Sequence, residues 1–358
     1  MLIPSIYLKK FTTEIFKKIG ASPSQAERAA DVLNAADLRG VDSHGVARLS
    51  GYVRLWEQKR LNASPEPKIV HETPSTAVID GDQGPGLMVA PEAMKKAIEK
   101  ARVAGTGWVA IRNSNHFGIA GYHAMLALEH DMIGISLTNA SPLVSPTFSK
   151  SRLLGTNPIA VAIPALHQPP VVIDMATTPV ANGKLEVLNR QGKDIPEGWA
   201  QDRDGISSND AEVLKKGGAM LPLGSDRTHG SHKGYCLGAM VDIFSGVLSG
   251  ANYGPWVPPF VAFLEPPAHQ VGEGIGHFIG AMRIDAFRPA GEFKEEMDRW
   301  IETFRNAEPV IPGQKVLIPG DPERELEKER LANGIPVLES VIKDLRELGQ
   351  QIGVRFSH

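Results

Sequence analysis

The sequence predicts an α/β protein in which at least part of the sheet is parallel. Six short runs rich in Val and Ile, each bounded by Gly, Pro or Asn, are typical of strands. Helical patterns at 91–103 and 119–130 separate some of these runs, and strand–helix–strand alternation favours parallel pairing. The six runs lie between residues 68 and 177 and read KIV, TAVID, WVAIR, IGISLT, IAVAIPA and VVIDMAT.

Three helices are predicted before this region. Apolar residues at three- and four-residue spacing indicate one helix that ends at Gly20 and a second that ends at Gly40. Asp42 and Ser43 are both good N-cap residues for a third helix. The buried face expected for this helix consists of Val46, Leu49, Val53 and Trp56.

The remainder of the chain is predicted to pass from loops to helices. Residues 184–230 are rich in Gly, Asp and Lys and are interpreted as loops around one helix. A helix is predicted at 233–249 and a strand at 276–287. The last three helices are predicted at EFKEEMDRWIETF, at PERELEKERL with Asp321 as cap and Pro322 at the first helical position, and along the apolar stripe Leu338, Val341, Ile342, Leu345 and Leu348.

The composition is that of an ordinary globular protein. The 358 residues are 42% hydrophobic and 22% charged, which suffices for one large domain or two closely packed ones. With 38 Lys and Arg against 41 Asp and Glu the net charge is -3, so no basic face for nucleic acid is expected. The single cysteine, Cys236, excludes a disulfide framework and a cysteine-based zinc site. We therefore expect a reducing compartment, the cytoplasm.

Neither a targeting segment nor a membrane span is expected. The start of the chain carries Lys and Glu among its apolar positions, whereas a signal peptide needs an uncharged apolar core. The least charged stretch, YCLGAMVDIFSGVLSGANYG, is interrupted by Asp242 and by several glycines. The motifs G-x-G-x-x-G, G-x-x-x-x-G-K-[ST], H-E-x-x-H and G-x-S-x-G are all absent.

The segment VDSHGVARLSGY carries a first candidate site. If the third helix starts at Ser43, then His44, Arg48 and Tyr52 follow at four-residue intervals on one face. An arginine can hold a carboxylate with two parallel hydrogen bonds, and a histidine exchanges protons near neutral pH. This pattern suits a small anionic substrate. The alternative is a solvated helix face with a histidine that satisfies a cap.

The segment WVAIRNSNHFGIAGYHAM carries a second candidate site. A strand is predicted to end at Arg112, and His116 lies in the following loop, before a helix. Ligands collect in loops at the carboxyl ends of strands in α/β sheets. A plain turn formed by residues 113–115 is the alternative. His123 and His130, on the following helix, are expected to be packing or surface residues.

Further polar residues adjoin the predicted strands and one helix. Lys233 and Gly234 open a predicted helix whose free N–H groups favour a phosphate, although lysine commonly occupies such positions without a ligand. Side chains that could bind a cofactor's ribose and amide groups, or simply form turns, are Thr138, Asn139, Asn157, Asp174 and Thr177.

Taken in order, these motifs resemble the type 2 malate/L-lactate dehydrogenase family. The family also contains ureidoglycolate, sulfolactate and diketogulonate oxidoreductases and cyclic imine reductases. The resemblance runs from the N-terminal helices to the end of the chain. It is carried by RGVDSHGVARLSGY, NSNHFGIAGYHA, TNASP, LGTNPIA, VIDMATT, SHKGYCLGAMVDIFSGVLSG and GHFIGAMRIDAF.

The resemblance implies roles for five residues of the first two motifs. His44 corresponds to the family's proton donor or acceptor, with Ser43 to orient it. Arg48 would hold the substrate carboxylate, and Tyr52 would line the pocket. His116 corresponds to a second site histidine that some members use as the acid/base. Which histidine moves the proton stays open.

The resemblance also implies the fold and the cofactor. Members bind NAD, or alternatively NADP, on a non-Rossmann mixed sheet and form homodimers with the site near the subunit interface. The implied cofactor-binding part is 71–289, and a helical substrate and dimerisation part would combine 1–70 with 290–358. No metal is implied. The corresponding cofactor positions are Ala140, Asp174, Met175, Ala176, Lys233, Gly234, Gly320 and Asp321.

The function implied is reversible hydride transfer between nicotinamide and C2 of a small 2-hydroxy acid. L-malate and oxaloacetate are expected first, then L-lactate or sulfolactate. A second carboxylate needs another cation, for which Lys184, Arg190 and Lys193 are candidates. Ureidoglycolate or a cyclic imine is the alternative within the family.

Two readings from other classes remain. One is a metal-dependent hydrolase or lyase built on His44, His116 and Asp174. The other is a binding protein without catalytic activity, which the joint presence of His44, Arg48 and His116 disfavours.

Overall fold

A computed structural model describes residues 1–357 and confirms a mixed α/β architecture. The helices in that range are α1 Ser5–Lys18, α2 Pro23–Leu38, α3 Leu49–Glu57, α4 Gly86–Ala104, α5 Ala120–Met125, α6 Asn182–Arg190, α7 Ser231–Asp242, α8 Ala290–Arg305, α9 Asp321–Asn333 and α10 Glu339–Ile352. The strands are β1 Leu2–Ile3, β2 Lys68–Glu72, β3 Thr76–Gly84, β4 Thr106–Ser114, β5 Met132–Thr138, β6 Ile159–Ile163, β7 Val171–Met175, β8 Ala200–Gln201, β9 Ser207–Ser208, β10 Ala219–Met220, β11 Ile275–Arg283 and β12 Ile335–Pro336.

All six predicted strand runs lie in one seven-stranded sheet of order β2-β3-β4-β11-β5-β6-β7. Within this sheet, as described for residues 1–357, only β3 and β4 pair in parallel, with α4 as their crossover. The strand β11 comes from late in the chain, lies between β4 and β5, and pairs antiparallel with both. The prediction of a partly parallel sheet is therefore confirmed for a single pair. The next two strands along the chain, β4 and β5, are joined by α5 but do not pair, because β11 lies between them.

The two faces of the sheet are covered by different helices. Alternate residues of β11 point to opposite faces. Ile279 and Ala281 are buried in the cluster that α4 and α5 form with the sheet. Phe278 faces the other way, with its ring 5.2 Å from that of Phe244. Phe244 lies in a π-helical turn, Ile243–Val247, that extends α7, so the helix predicted at 233–249 changes its hydrogen-bonding pattern after Asp242.

The helices nearest the two ends of the chain share one buried cluster. Phe11 and Phe16 of α1 and Tyr52 of α3 pack in the same core as Ile342 and Leu345 of α10. The helix α8 packs elsewhere, because its buried Ile301 joins Val171 of β7 and Ile318. The domain boundaries at 70 and 290 stay a prediction.

The region predicted as loops around one helix contains more structure than expected. Besides α6 it holds the three-stranded sheet β10-β8-β9, whose short strands carry too little periodicity to be seen in the sequence. Leu185 of α6 is buried there with Ile195 and Met220. Within residues 1–357, no helix combines the length and the hydrophobicity that crossing a membrane requires.

Candidate active site

The turn between α2 and α3 is held by a buried carboxylate. Asp37, in the last turn of α2, is only 3% exposed, and its Oδ2 accepts the backbone N–H of Val46 at 2.8 Å. A side chain at Gly45 would overlap this carboxylate, since its Cβ would lie 1.8 Å from Asp37 Oδ1. The chain therefore turns at residues 41–45, and α3 begins only at Leu49.

The helix start predicted at Asp42 or Ser43 is wrong for this reason. His44 lies in the turn, Arg48 ends a short 3-10 helix, and only Tyr52 belongs to α3. The three side chains expected on one helix face thus come from three different local structures. The turn, and not a helix face, determines where His44 lies relative to Arg48.

A second set of contacts anchors the same turn from α9. Arg330 pairs with the carboxylate of Asp42 and also donates to the backbone carbonyl of Asp37. Burial raises the pKa of Asp37 to about 8, although the hydrogen bond from Val46 opposes the shift. At neutral pH most Asp37 carboxyls are therefore protonated, and their contact with Val46 is a neutral hydrogen bond.

The turn brings His44 against His116, which follows β4. The two imidazole rings stack with their centroids 5.5 Å apart and their planes at 18°. The ring of Phe260 also stacks on His116, at 4.5 Å between centroids. His116 lies just past the end of β4, in the loop where the sequence predicted it, and His123 and His130 are packing and surface residues as expected.

In each ring, Nδ1 is bound by the protein. Nδ1 of His44 lies 2.9 Å from Ser43 Oγ. Nδ1 of His116 accepts the backbone N–H of Gly118 at 3.3 Å and lies 2.7 Å from the Tyr52 hydroxyl. Because a backbone N–H can only donate, the neutral His116 ring carries its proton on Nε2. In both rings Nε2 is the nitrogen that remains for a substrate.

Enclosure by the protein keeps both rings neutral. Burial lowers the pKa of His44 to about 3, and the charge of Arg48 lowers it as well. Burial also lowers the pKa of His116 well below its ordinary value, with smaller contributions from His44 and Arg48. A neutral imidazole is ready to accept a proton, and an anion on Arg48 would stabilise the protonated ring.

Arg48 is bound on two sides. Its Nε donates to the backbone carbonyl of Ser43 at 2.6 Å, which fixes the guanidinium beside the histidine turn, the turn at residues 41–45 that carries His44. Its Nη2 lies 3.4 Å from Oε2 of Glu186 on α6. Oε1 of the same glutamate accepts a hydrogen bond from Asn182 Nδ2 at 2.8 Å. The helix α6 approaches closely because position 183 is glycine, whose Cβ would lie 2.4 Å from Ser43 Cβ.

A cavity of about 1140 Å³ joins this corner to the end of β7 and the start of α9. Among the predicted site residues, those that line it are Ser43, His44, Arg48, Asp174, Met175, Ala176 and Gly320. Ordinary small-ligand sites have about 300–1,000 Å³, so this cavity has room for a ligand larger than a single metabolite. It also contains Lys184 and Arg190, two of the three candidate cations, but not Lys193.

Asp174 lies in this cavity wall at the end of β7. Its Oδ2 accepts the backbone N–H of Gly121 at 2.7 Å. Its side chain is exposed to the cavity, yet desolvation by the surrounding protein raises its pKa to about 6. The side chain can therefore either accept or donate a hydrogen bond to a ligand near neutral pH.

Several predicted residues lie outside the cavity wall. Tyr52 is fully buried behind His116 instead of lining the pocket, and His116 itself reaches the cavity only through its stacking on His44. The backbone N–H of Ala140 donates to Asn157 Oδ1 at 3.2 Å. Tyr52, His116 and Ala140 therefore contact residues near the cavity but do not line it.

The two positions predicted at the start of α7 also lie outside the wall. Lys233 is exposed, and a Cβ at Gly234 would lie 2.3 Å from the carbonyl oxygen of Leu223, which does line the cavity.

The start of α9 differs from the sequence prediction in one respect. Asp321 is the first residue of the helix, and Gly320, with a φ of 97°, is its cap. The Asp321 carboxylate bonds Arg305 and Arg324 instead, at 3.1 and 2.7 Å. The two arginines neutralise the charge of Asp321, while Glu323 in the same turn presents a carboxylate at the cavity wall.

The sequence did not predict two residues of the site, Asp37 and Glu186. Asp37 sits in an amphipathic helix, where an acidic residue is ordinarily solvated, and only the contact with Val46 reveals its role. Glu186 follows Asn182 by four residues on a helix, a spacing that predicts their hydrogen bond but not the contact with Arg48.

Comparison with known proteins assigns the chain to a family. Residues 3–346 match the family profile described as malate/L-lactate dehydrogenase. Malate dehydrogenase of Pyrococcus horikoshii is 43% identical over 353 residues, 98% of this chain and 96% of that protein. L-sulfolactate dehydrogenase of Methanocaldococcus jannaschii is 39% identical over 350 residues, 97% of this chain and 96% of its own length.

The fold agrees with solved structures of similar proteins. The crystal structure of malate dehydrogenase from Entamoeba histolytica superposes with a TM-score of 0.92 at 34% identity, covering 100% of this chain and 99% of that one. A more distant relative is a Delta(1)-pyrroline-2-carboxylate/Delta(1)-piperideine-2-carboxylate reductase of Pseudomonas putida, 32% identical over 254 residues, 70% of this chain and 72% of that protein.

Proposed function

The chain belongs to the malate/L-lactate dehydrogenase family and is a 2-hydroxy acid dehydrogenase, and from this premise we propose that it interconverts L-malate and oxaloacetate with NAD. The observation that carries the proposal is the single cavity that holds Arg48 and His44 at one end and Asp174, Met175 and Gly320 elsewhere in its wall. The first two residues suit a small 2-oxo acid, and the others suit a dinucleotide.

The family implies a nicotinamide cofactor, and the cavity fits one. The pyrophosphate would lie against the backbone of Gly320 at the start of α9, where Arg305 and Arg324 neutralise the Asp321 charge. Asp174 would hydrogen-bond a ribose hydroxyl, and the neighbouring Met175 and Ala176 would bound the ring. When bound, nicotinamide supplies the hydride acceptor or donor at its C4.

Arg48 positions the substrate. Its guanidinium lies beside His44 because its Nε is held by the Ser43 carbonyl. A carboxylate bound to the two outer nitrogens would present the adjacent C2 carbon and its oxygen to the histidine pair. Lys184, whose side chain has no ion-pair partner in residues 1–357, is the cation we propose for a second carboxylate.

His44 is the ring that moves the proton. In oxidation, the neutral His44 imidazole, with its own proton on Nδ1 toward Ser43, takes the hydroxyl proton at Nε2 while the hydride leaves C2, and in reduction it returns this proton to the new alkoxide. The substrate carboxylate offsets the charge of Arg48 and so favours the protonated ring at that moment. We propose that His116, whose Nε2 already carries a proton, stacks on His44 and donates a hydrogen bond from Nε2 to the substrate oxygen.

We propose that the chain forms a homodimer through α7 and its π-helical extension. This surface exposes a continuous apolar row in which Ile243, Val247 and Leu248 are 51%, 53% and 57% exposed. Apolar surface of this kind marks protein contacts. Sedimentation of the wild type and of Val247→Lys tests this, because the charge should convert the dimer into a monomer.

A metal-dependent hydrolase has less support. Within residues 1–357, no three His, Cys, Asp or Glu side chains are grouped so that they would hold a metal ion. A cyclic imine reductase is the second candidate, since one relative carries that name at 32% identity over 70% of this chain.

Absorbance of the reduced nicotinamide tests the proposal. Purified protein should oxidise NADH with oxaloacetate, and faster than with pyruvate, with the sulfonate analogue of oxaloacetate or with NADPH. A higher rate with a cyclic imine would replace the proposed substrate, and a preference for NADPH would replace the proposed cofactor. Absence of turnover with every 2-oxo acid and both cofactors would overturn the function.

A further inference from the structure

We propose that Glu186 is a resident competitor for Arg48, which the substrate carboxylate must displace, so that this residue sets the affinity for the acid. The inference rests on the proposed function, in which Arg48 binds the substrate carboxylate. Glu186 presents a carboxylate to Arg48 Nη2 at 3.4 Å, which is the same chemical group that the substrate would offer. The protein therefore supplies its own ligand for this guanidinium.

The competitor is held in place by its own helix. Asn182 donates to Oε1 of Glu186 at 2.8 Å, which leaves Oε2 to face Arg48. The glycine at position 183 allows α6 to touch Ser43, and its Cβ would also lie 3.1 Å from Arg48 Nη2. Glu186 thus reaches Arg48 from a helix already seated against the histidine turn.

The contact is exchangeable. The Arg48 and Glu186 side chains are 18% and 35% exposed, so water reaches both when they separate. Ion pairs that remain in contact with water contribute little net free energy, which permits a better-placed carboxylate to replace one of the partners. By contrast, the bond from Arg48 Nε to the Ser43 carbonyl lies on the other side of the guanidinium and need not break.

The same ion pair separates two cavities. A second cavity of about 710 Å³ lies beside the first, and Arg48, Glu186 and Arg190 line both. When the substrate takes Arg48, the Glu186 carboxylate is free to turn toward this second cavity, where Arg54 and Lys215 are part of the wall. The wall on that side also carries Glu57, Asp344 and Glu347, so the displaced carboxylate meets a surface of mixed charge.

Steady-state kinetics of Glu186→Gln tests the proposal. The amide keeps the shape and the hydrogen bond from Asn182 but removes the charge that competes for Arg48. We expect the KM for oxaloacetate to fall about three- to tenfold, with kcat and the KM for NADH changed by less than about twofold. The inhibition constant of succinate, a carboxylate that undergoes no hydride transfer here, should fall by the same factor.

Salt dependence gives a readout that a merely structural role would not change. In the wild type, one carboxylate replaces another on Arg48, so the KM should depend weakly on ionic strength. In E186Q a new ion pair forms on binding, so the KM should rise more steeply with salt.

Glu57→Gln is the matched control. It makes the same charge change beside the second cavity, where Glu57 bonds Gln351 and not Arg48. The KM for oxaloacetate should stay within about twofold of the wild type, because Glu57 does not compete for Arg48. A fall in KM would show that any loss of negative charge near this cavity has the effect.

An unchanged or raised KM in E186Q would overturn the proposal and would instead make Glu186 a residue that orients Arg48. An equal fall in E57Q would also overturn it. Arg48→Ala separates this failure from that of the proposed function. If Arg48→Ala raises the KM while E186Q does not lower it, only the competitor is wrong; if Arg48→Ala leaves the KM unchanged, the carboxylate site itself is wrong.

Discussion

Two segments meet at Arg48, the histidine turn at residues 41–45 and the helix α6, and they are held in different ways. The turn is fixed by bonds that water does not reach, chiefly the one that the Val46 backbone N–H donates to the buried Asp37. The helix α6 has only two buried residues, Gly183 and Leu185, and reaches the turn through one ion pair and one close backbone approach.

The difference in anchoring indicates that the two segments have different functions. Proton transfer needs rings held within a fraction of an ångström, and the turn supplies this because its anchors are buried. Substrate entry needs a contact that breaks at low cost, and a partly exposed ion pair is of that kind. We infer that the histidine turn determines kcat and that the contact between Arg48 and Glu186 of α6 adjusts the KM for the acid.

The largest expected effect is on the turn. His44→Asn or His116→Asn should lower kcat about 100-fold or more, since positioned acid–base groups contribute about 10²–10⁴-fold. We expect the larger loss for His44→Asn, because Nε2 of His116 already carries a proton; a larger loss for His116→Asn would make His116 the ring that moves the proton. Stopped-flow single turnovers with NADH and oxaloacetate measure the chemical step directly.

The surface variant His130→Asn is the control for both substitutions, since His130 is exposed and its ring contacts Arg102. A loss of less than about threefold in both site variants would show that neither imidazole takes part in proton transfer.

The next effect is on substrate binding. Arg48→Ala should raise the KM for oxaloacetate about 10- to 100-fold, because a hydrogen bond to a charged group contributes about 1.5–3 kcal/mol. The KM for NADH should be little changed. Arg203→Ala, which removes a highly exposed guanidinium, is the control and should leave both constants alone.

A smaller effect on kcat is expected from substitutions of Asp37, which anchors the turn. Asp37→Ala leaves the buried N–H of Val46 unpaired, at a cost of about 1–3 kcal/mol, and should lower both stability and kcat. Asp37→Asn keeps an acceptor oxygen and is already similar to the protonated wild type below pH 8, so its kcat should be close to normal there. Equal damage by both substitutions would show that the charge, not the acceptor, holds the turn.

The same pair of proteins gives a pH prediction. The pKa of Asp37 is raised to about 8, so between its unfolded value of 3.8 and 8 the folded state binds more protons than the unfolded state. The free energy of unfolding therefore loses up to about 1.4 kcal/mol per pH unit as the pH rises through this window. D37N should lack this loss, so its stability relative to the wild type, measured by urea denaturation, should increase with pH.

The comparison also shows how far sequence reasoning reaches. Periodicity predicted the presence of α1, α2, α10 and every strand of the main sheet, although not their exact limits, because those patterns are local. The motif around His116 placed that residue correctly after β4. In both cases a few neighbouring residues carry the information.

The errors came from contacts between distant segments. The helix start predicted at Asp42 or Ser43 was wrong because the Val46 N–H bonds to Asp37. Parallel pairing is limited to one pair of strands because β11 lies between β4 and β5. The pairing of Glu186 with Arg48 is of the same kind. No spacing in the sequence contains these contacts, since each depends on how whole elements pack.

The most direct test of the division between the two segments is a double-mutant cycle on the KM for oxaloacetate. It compares the wild type, E186Q, R48A and the double variant. We predict that E186Q lowers the KM about three- to tenfold when Arg48 is present and changes it by less than about twofold when Arg48 is alanine. The same fall in both backgrounds would contradict the account, because Glu186 would then act on the substrate without Arg48.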